Sequence, residues 1–323
     1  NKGFEASVNW VAVDKKNFGL TIGANISFNK NKIKSLGLLQ TMSNDLTQSY
    51  WASSEIGQDY WIEVGGSVGK MYGYVSDGRY EVSDFERYDA ATDTWILKEG
   101  VSTSTAVGTA RPGMMKLKDL DNSGDANGEK DKRVIGDANP LHTGGFNINA
   151  RLYGFDLIAN FNWSYGNDIY NANKIEYTTT SKYLYRNLTS EMATGKRWTN
   201  VDASGNMVTD MTQLAEMNKN TTMWSPYTNK YIFSDWAVED GSFLRLSTLT
   251  LGYTLPKSLI KKVGINNLRF YVTAYNVFCL TKYSGYDPEV STARRNGSNL
   301  TPGVDYSAYP KSRQFVVGLN LNF

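Results

Sequence analysis

The last ten residues of the chain, QFVVGLNLNF at 314–323, alternate between apolar and polar side chains. The apolar positions are Phe315, Val317, Leu319, Leu321 and Phe323, and Val316 is the exception among the polar or glycine positions between them. A period of two residues is typical of a β-strand that buries one face. The question is what lies against the apolar face of this strand.

Six further segments show the same alternation, at about 3–12, 17–28, 143–153, 155–165, 244–255 and 267–278. Short connections alternate strictly with three long ones, at about 29–141, 166–242 and 279–313. Unstructured connections longer than about 15 residues are uncommon inside compact domains, so this alternation needs a common cause. An antiparallel up-and-down sheet provides it, because short turns then lie at one end and long loops at the other. The pattern predicts an all-β fold.

The composition narrows the classes of function. The chain has 34 Lys and Arg against 32 Asp and Glu, so its overall electrostatic field does not favour binding to nucleic acid. We therefore do not expect nucleic-acid binding. The 21 Tyr, 13 Phe, 8 Trp and 29 Gly favour strands and turns. Cys279 is the single cysteine, which excludes an internal disulfide and predicts a buried, unreactive thiol in preference to a reactive one.

The apolar faces of the strands fit contact with lipid. No stretch reaches the roughly 18–20 consecutive apolar residues of a transmembrane helix, whereas the signal of a membrane β-barrel is weak in each strand. Between Phe18 and Phe28, aromatic rings flank aliphatic side chains, as at the two interfaces of a bilayer. A soluble β-sandwich also has one apolar face, but it does not require rings at both ends. Eight residue steps rise about 27 Å, or roughly 20 Å after tilting, close to the roughly 25 Å apolar band of outer-membrane barrels.

Seven strands do not make a complete single-chain bacterial barrel, which has an even number of strands. Open edges in a bilayer leave backbone groups unpaired, so the remaining strands are expected from another segment or chain. The chain also begins at Asn1, inside a segment that already reads as a strand. We therefore expect a fragment or a processed piece of a longer protein.

Four stretches have a specific character: the stretch at 110–171 that begins ARPGMMKLKDLD, EVGGSVGKMYGYVSDGRY at 63–80, FLRLSTLTLGYTLPKSLI at 243–260, and LRFYVTAYNVFCLTKYSGYDPEV at 268–290. These stretches resemble the late-barrel region of SusC/RagA-type TonB-dependent outer-membrane transporters. With the terminal strand, the resemblance extends over nearly the whole chain.

This resemblance implies a transmembrane β-barrel of 22 strands, of which the chain provides about the last seven. The N-terminal plug, the segment that binds TonB and the earlier strands are absent from this chain. The implied function is import of an oligosaccharide or peptide across the outer membrane of a Gram-negative bacterium, driven by the TonB complex. The implied partner is a SusD/RagB-like lipoprotein that caps the barrel. Phe323 matches the terminal aromatic residue that serves as the outer-membrane assembly signal.

The sharpest local motif is DLDNSGDANGEKD at 119–131. Oxygen-bearing side chains at alternate positions, followed by a glycine, resemble the first half of a calcium loop. The predicted Ca²⁺ ligands are Asp119, Asp121, Ser123 and Asp125. Lys130 stands where such a loop requires a glutamate, and related transporters carry a shorter acidic loop. Turns stabilised by the Asp and Asn side chains in a solvated loop are the alternative interpretation.

The sequence predicts no catalytic site and no enzyme. The single histidine, His142, is expected at the end of the third strand, and Cys279 is expected on a different hairpin. The acids Asp235, Glu239 and Asp240 have no predictable alignment. Aromatic residues in the long loops suit cargo or partner binding, or packing within the loops: Tyr50, Trp51, Tyr60, Trp61, Tyr72, Tyr74, Trp95, Trp198, Trp224 and Tyr227. A soluble secreted β-rich glycan-binding module or glycosidase is the alternative function, and an adhesin on the same barrel is a third.

Overall fold

The computed structural model describes residues 1–37, 47–52, 55–180, 185–228, 230–292 and 299–323. Its strands are β1 (Lys2–Lys15), β2 (Phe18–Lys30), β3 (Tyr60–Trp61), β4 (Lys70–Tyr74), β5 (Ser76–Arg79), β6 (Phe85–Asp89), β7 (Thr94–Leu97), β8 (Met115–Leu117), β9 (Lys132–Asp137), β10 (His142–Leu152), β11 (Phe155–Tyr165), β12 (Asp168–Asn171), β13 (Val238–Asp240), β14 (Phe243–Thr254), β15 (Asn267–Thr281), β16 (Val304–Asp305) and β17 (Gln314–Asn322). The helices are α1 (Ala172–Glu176), α2 (Met211–Asn218) and α3 (Lys257–Ile260), with 3-10 turns at Val82–Asp84, Glu129–Asp131, Ser190–Met192, Asp235–Ala237 and Lys261–Val263.

Seven long strands form one antiparallel sheet in the order β1-β2-β10-β11-β14-β15-β17. Each long strand pairs with the next long strand in the chain, which is up-and-down topology. The predicted fold class is confirmed, and the predicted strands differ from the observed ones by a few residues at their ends. Within the described chain, the edge strands β1 and β17 are each hydrogen-bonded on one side only.

One face of this sheet is apolar and uncovered. Its central row crosses all seven strands: Trp10, Ile22, Ile148, Ala159, Leu249, Ala274 and Phe315. Phe315 is 73% exposed and Val317 79% exposed. Near the short turns, a row rich in rings contains Phe18, Leu152, Phe155, Tyr253, Phe270 and Leu319. At the other end, Phe28 contacts His142, and His142 stacks on Tyr165. Some rings also lie between the two ends, since Phe146 stacks on Phe161 there.

The opposite face is polar. The row beside the central apolar row consists of Asn9, Gly23, Asn147, Asn160, Thr248, Tyr275 and Gln314. On this face Arg269 forms a two-bond ion pair with Asp156, at 2.6 and 2.9 Å, and the hydroxyls of Thr250 and Thr273 lie 2.9 Å apart. The sheet therefore has one face suited to an apolar solvent and one suited to water.

The short connections lie together at one end of the sheet. Between β10 and β11, Tyr153 and Gly154 have φ angles of 46° and 91°. Two successive positive φ angles are typical of the two-residue turns that match the twist of a hairpin. A Cβ atom on Gly154 would lie 2.7 Å from the carbonyl oxygen of Thr254, so this turn requires glycine.

The three long connections, at 31–141, 166–242 and 282–313, fold at the other end of the sheet. Their described residues form four small sheets, β3-β4-β9, β5-β8, β6-β7 and β13-β12-β16. The same residues form three clusters of buried apolar side chains, with Tyr60, Phe85 and Leu214 fully buried. The apolar core is therefore in the connections. Among the described residues, no helix is both long and apolar enough to cross a membrane.

Candidate functional site

The three long connections are held to one another by buried contacts. Trp51 of the first connection donates a hydrogen bond from its indole nitrogen to the hydroxyl of Tyr170 in the second, at 2.6 Å. The hydroxyl of Tyr60 donates to the carbonyl oxygen of Pro302 in the third, also at 2.6 Å. Strand β12 of the second connection pairs with β16 of the third in parallel, through Tyr170 and Val304. The connections therefore form one continuous layer, which we call the loop layer.

Most of the predicted aromatic platforms pack inside this layer. Trp51, Tyr60, Tyr72, Trp198 and Trp224 are buried. Tyr50, Trp61, Tyr74 and Trp95 are partly exposed. Of the ten predicted residues, Tyr227 is the one with a largely exposed side chain, at 63%. The alternative of packing within the loops therefore describes most of this set.

A buried ion pair joins the sheet to the third connection. Arg245 on β14 and Asp287 are each 6% exposed at the side chain, and their charged atoms lie 2.6 Å apart. Arg245 also contacts Glu289 at 2.9 Å and donates to the side chain of Asn276. The sheet register shifts beside Arg245, and Asn276 there has a φ of 52°. Arg245 was not singled out from the sequence. The alternation in FLRLSTL already places Arg245 on the polar face of the strand, and this pattern could have identified it.

A buried carboxyl group lies in the first connection. Asp59 is 2% exposed and accepts hydrogen bonds from the backbone nitrogen and the hydroxyl of Ser49. Burial raises the pKa of Asp59 to about 7, although the bonds from Ser49 oppose this shift. Asp59 therefore titrates near neutral pH. Its burial was not predicted from the sequence, because its partners Thr47, Ser49 and Tyr72 belong to other segments of the same connection.

The acidic loop brings together a set of residues that differs from the predicted one. Oxygen atoms of Asp119, Asp121 and Asp131 lie within 4.8 Å of one another. Asp119 accepts hydrogen bonds from the backbone nitrogens of Ser123 and Gly124. These are bonds of the turn itself, so they are also present in the solvated-loop interpretation.

The carboxylate of Asp125 lies outside this cluster and has hydrogen-bond partners of its own. Its carboxylate accepts from the hydroxyls of Thr103 and Thr105 and from the backbone nitrogen of Thr105. Burial raises the pKa of Asp125, but these hydrogen bonds outweigh burial and leave the pKa below its ordinary value. Ca²⁺ binding at this loop stays a prediction. The clustered carboxylates would place Asp131 beside Asp119 and Asp121 in the ligand set. Asp131 was not among the predicted ligands because it lies in the 3-10 turn Glu129–Asp131, beyond the alternating part of the motif.

The residues weighed for catalysis do not form one group of contacts. His142 accepts a hydrogen bond from the indole nitrogen of Trp163 at 3.0 Å on the apolar face. Cys279 lies on the polar face of β15, opposite Arg245. Asp235 accepts from the backbone nitrogen of Ser76. Glu239 accepts from Asn171 and Ser284, and Asp240 accepts from Ser242. Each carboxylate has a structural partner of its own.

Open spaces lie among the described residues of the loop layer. A small one of about 20 Å³, room for about one water molecule, lies between the first and second connections and is lined by Arg111, Met115, Trp224, Ile232 and Trp236, among others. A larger one, of about 550 Å³, shares Lys230 and Ile232 with it and continues to Tyr72 and Glu129. Another, of about 610 Å³, lies between the second and third connections, beside the exposed Tyr286 and Tyr309. These spaces could not be predicted from the sequence, because residues from distant connections line each of them.

An antiparallel sheet with an uncovered apolar face, a polar opposite face and folded loops at one end is the wall of a membrane β-barrel. No protein-family model matches the chain. The chain is 31% identical over 325 residues to the TonB-dependent receptor P3 of Formosa agariphila, an alignment that covers the whole chain and 28% of that receptor. It is 36% identical over 92 residues to the TonB-dependent receptor SusC of Bacteroides thetaiotaomicron, covering 28% of the chain and 8% of SusC.

The fold is also found in solved structures. The RagAB peptide importer in its closed-closed state contains a chain that matches with a TM-score of 0.65 at 20% identity, covering 99% of this chain and 29% of that one. The RagAB importer in its open-open state gives a TM-score of 0.64 at 21% identity. The resemblance to the SusC/RagA family of TonB-dependent receptors is confirmed, and the chain spans less than a third of the receptor P3.

Proposed function

We propose that this chain forms part of the barrel wall and outer loop layer of a TonB-dependent importer in the outer membrane of a Gram-negative bacterium. The observation that carries the proposal is the uncovered apolar face of the seven-stranded sheet, opposite a polar face. The names of the similar receptors support it. In this role the chain acts without catalysis, by enclosing a passage and holding the loops that meet the cargo.

The edges of the sheet indicate how the wall would continue. β1 and β17 each have one edge without a strand partner among the described residues. Since an open edge in hydrocarbon leaves backbone groups unpaired, the earlier strands of a 22-stranded barrel would complete it, and a plug would close the passage. The long connections at 29–141, 166–242 and 279–313 would then be extracellular. Phe323, which is 82% exposed, would act as the assembly signal.

The cargo in this proposal is an oligosaccharide or a peptide. The similar RagAB assembly is described as a peptide importer, which favours a peptide. A SusD/RagB-like lipoprotein would cap the loop layer, and the TonB complex would act through the N-terminal part of the transporter. Co-purification of such a lipoprotein, together with loss of nutrient uptake on deletion of TonB, would support both points. Uptake that is independent of TonB would contradict them.

The membrane assignment has a direct test. Carbonate-washed membranes should retain the protein, whereas release into the soluble fraction would contradict the proposal and favour the soluble module. In a Cys279→Ser background, single cysteines at the adjacent positions Leu251→Cys and Thr250→Cys face opposite sides of β14. We expect a lipid-soluble maleimide to label the first and a charged aqueous maleimide to label the second. Equal labelling of both by the aqueous reagent would exclude lipid contact.

A further inference from the structure

Two lysines face each other at the loop end of the first hairpin. Lys2 on β1 pairs in register with Lys30 on β2, two positions beyond the pair formed by Phe4 and Phe28. Because side chains alternate between the faces of a strand, both lysines lie on the same face as these two rings, which is the apolar face. The apolar face of this hairpin therefore ends in two positive charges.

These two charges have no acidic partner among the described residues. Neither lysine is in an ion pair. Side chains directly opposite each other on antiparallel strands have Cβ atoms about 4.5–5.5 Å apart, so two like charges in these positions repel. An anion held between the two ammonium groups would remove this repulsion.

The sheet itself supplies no such anion on its apolar face. Its seven long strands contain three acids, Glu5, Asp14 and Asp156. All three lie on the polar face, where Glu5 accepts from a serine hydroxyl and the other two pair with arginines. Lys15 also lies on the apolar face, at the short-turn end, but it faces the ring of Phe18 rather than another lysine. The opposed pair at the loop end therefore differs from the other cations of the sheet.

The position of the pair along the strands matches the headgroup layer of a bilayer. The ten residue steps from Phe18 to Phe28 rise about 34 Å, or roughly 26 Å after a tilt near 40°, which is close to the height of the apolar band. Lys30 lies two steps farther, about 5 Å beyond this band after the same tilt. Since the polar layer on each side of a bilayer is about 5–7 Å thick, both ammonium groups lie at the level of the lipid headgroups, on the side of the loop layer.

We propose that Lys2 and Lys30 together bind the phosphate group of an anionic lipid in the leaflet on the side of the loop layer. The two ammonium groups hold the phosphate between them, and the acyl chains of the lipid lie along Phe4, Phe28 and the aliphatic side chains below them. Lysines close to a membrane surface attract anionic headgroups in this way. The proposal rests on the membrane assignment proposed above and adds to it a lipid that is bound at one place on the barrel wall.

Native mass spectrometry of the intact transporter in a neutral detergent tests this site with monophosphoryl lipid A and with the same lipid after phosphatase treatment. We expect the phosphorylated lipid to bind more tightly. Lys2→Gln should weaken its binding about fivefold, and Lys2→Gln combined with Lys30→Gln roughly thirtyfold, because each lysine near an anionic headgroup contributes a similar amount. Replacing both lysines with arginine keeps the two charges and should preserve binding. The matched control is Lys98→Gln combined with Lys118→Gln, which removes two exposed lysines of the loop layer and should leave binding unchanged.

The melting temperature of the transporter in phosphatidylcholine nanodiscs is a second readout. In phosphatidylcholine alone, the double glutamine variant of Lys2 and Lys30 should be at least as stable as the wild type, because the opposed charges are gone. Adding the phosphorylated lipid should raise the melting temperature of the wild type and leave that of the variant unchanged. A variant that is less stable than the wild type without this lipid would overturn the proposal, because the lysines would then act within the protein.

The binding assay has outcomes that also contradict the lipid site. Equal binding of the phosphorylated and dephosphorylated lipids, or undiminished binding by the double glutamine variant, would overturn the proposal. Inorganic phosphate that binds as tightly as the lipid would overturn it in favour of a soluble anion. A protein that stays in washed membranes but fails these tests would lose the lipid site and keep the membrane assignment. A protein released from washed membranes would lose both.

Discussion

The sheet and the loop layer place their apolar side chains in opposite ways. In the sheet, Phe315 and Val317 are 73% and 79% exposed, and no described residue covers their face. In the loop layer, Tyr60 and Phe85 are fully buried, in two clusters that join the first and second connections. The hydrophobic effect drives the second arrangement in water, whereas the first is stable only against another apolar phase.

The two regions are therefore built for different surroundings. The loop layer has its own cores and its own backbone pairing, so it is organised like a soluble domain. The sheet has backbone pairing but no core. Substitutions should therefore have opposite consequences in the two regions, and the buried pair of Arg245 and Asp287 marks their junction.

The largest expected effect is at that junction. Arg245→Met leaves the buried Asp287 without its partner, which should cost about 3–5 kcal/mol. We expect a lower melting temperature and faster protease cleavage near residue 290. Arg151→Met is the matched control, because Arg151 pairs with Asp14 in an exposed position and should cost about 1 kcal/mol or less. Equal effects of the two variants would mean that the junction does not hold the two regions together.

The next largest effect concerns the apolar face. Leu249 lies in the central apolar row, and its neighbour Thr250 lies on the polar face. Leu249→Lys should cost about 2–4 kcal/mol at mid-membrane, while Thr250→Lys should be nearly neutral. Urea unfolding of the protein in lipid vesicles measures both. The lipid assignment fails if Thr250→Lys proves the more harmful change.

A pH dependence should distinguish the loop layer from the sheet. The pKa of Asp59 is about 7 in the folded protein and 3.8 ordinarily, so the folded state retains a proton that the unfolded chain releases in this window. Local stability should fall as pH rises from about 4 to about 7, by up to about 1.4 kcal/mol per pH unit. Asp59→Asn should remove this slope, since an amide can still bond Ser49.

Hydrogen exchange of the backbone around residues 47–62, corrected with an unstructured peptide, measures this slope. The amides of β14 in the same sample are the internal control, because the hydrogen-bond partners of Asp59 are Thr47, Ser49 and Tyr72 in the first connection. A slope that persists in Asp59→Asn would assign the titration to another group.

The smallest expected effect is Ca²⁺ binding at the acidic loop. At a concentration tenfold above the dissociation constant, a bound ion would stabilise the loop layer by about 1.4 kcal/mol. Calorimetry before and after chelation tests this. Asp131→Asn should weaken binding more than Asp125→Asn if the clustered carboxylates are the ligands. No heat of binding at millimolar Ca²⁺ would leave the solvated loop as the explanation.

The sheet was predictable from the sequence because the pattern that specifies each strand lies within that strand. Side chains alternate along each strand, so the segments at 143–153 and 155–165 already showed their two faces and their turn at Tyr153 and Gly154. The seven strands and their up-and-down order followed from such segments and from the lengths of the connections. The family resemblance added the barrel and its import role.

The loop layer was not predictable because its contacts are distant in the chain. Strand β16 has two residues, and its pairing partner Tyr170 lies more than a hundred positions earlier. Such short, fully buried strands show no alternation. Arg111 and Asp59 were not singled out for the same reason. The burial of Arg111 depends on residues of another connection, and the burial of Asp59 depends on another part of its own connection. Of the four predicted Ca²⁺ ligands, Asp119 and Asp121 lie in the cluster of carboxylates, and Ca²⁺ binding itself stays a prediction.

The bonds between Trp51 and Tyr170, and between Tyr60 and Pro302, have a consequence for engineering. A chimera that exchanges the second connection alone with a homologue would leave Trp51 and Val304 facing foreign surfaces. The three connections should therefore be exchanged together, with the junctions at the ends of the long strands, so that the exchanged loop layer keeps its shape.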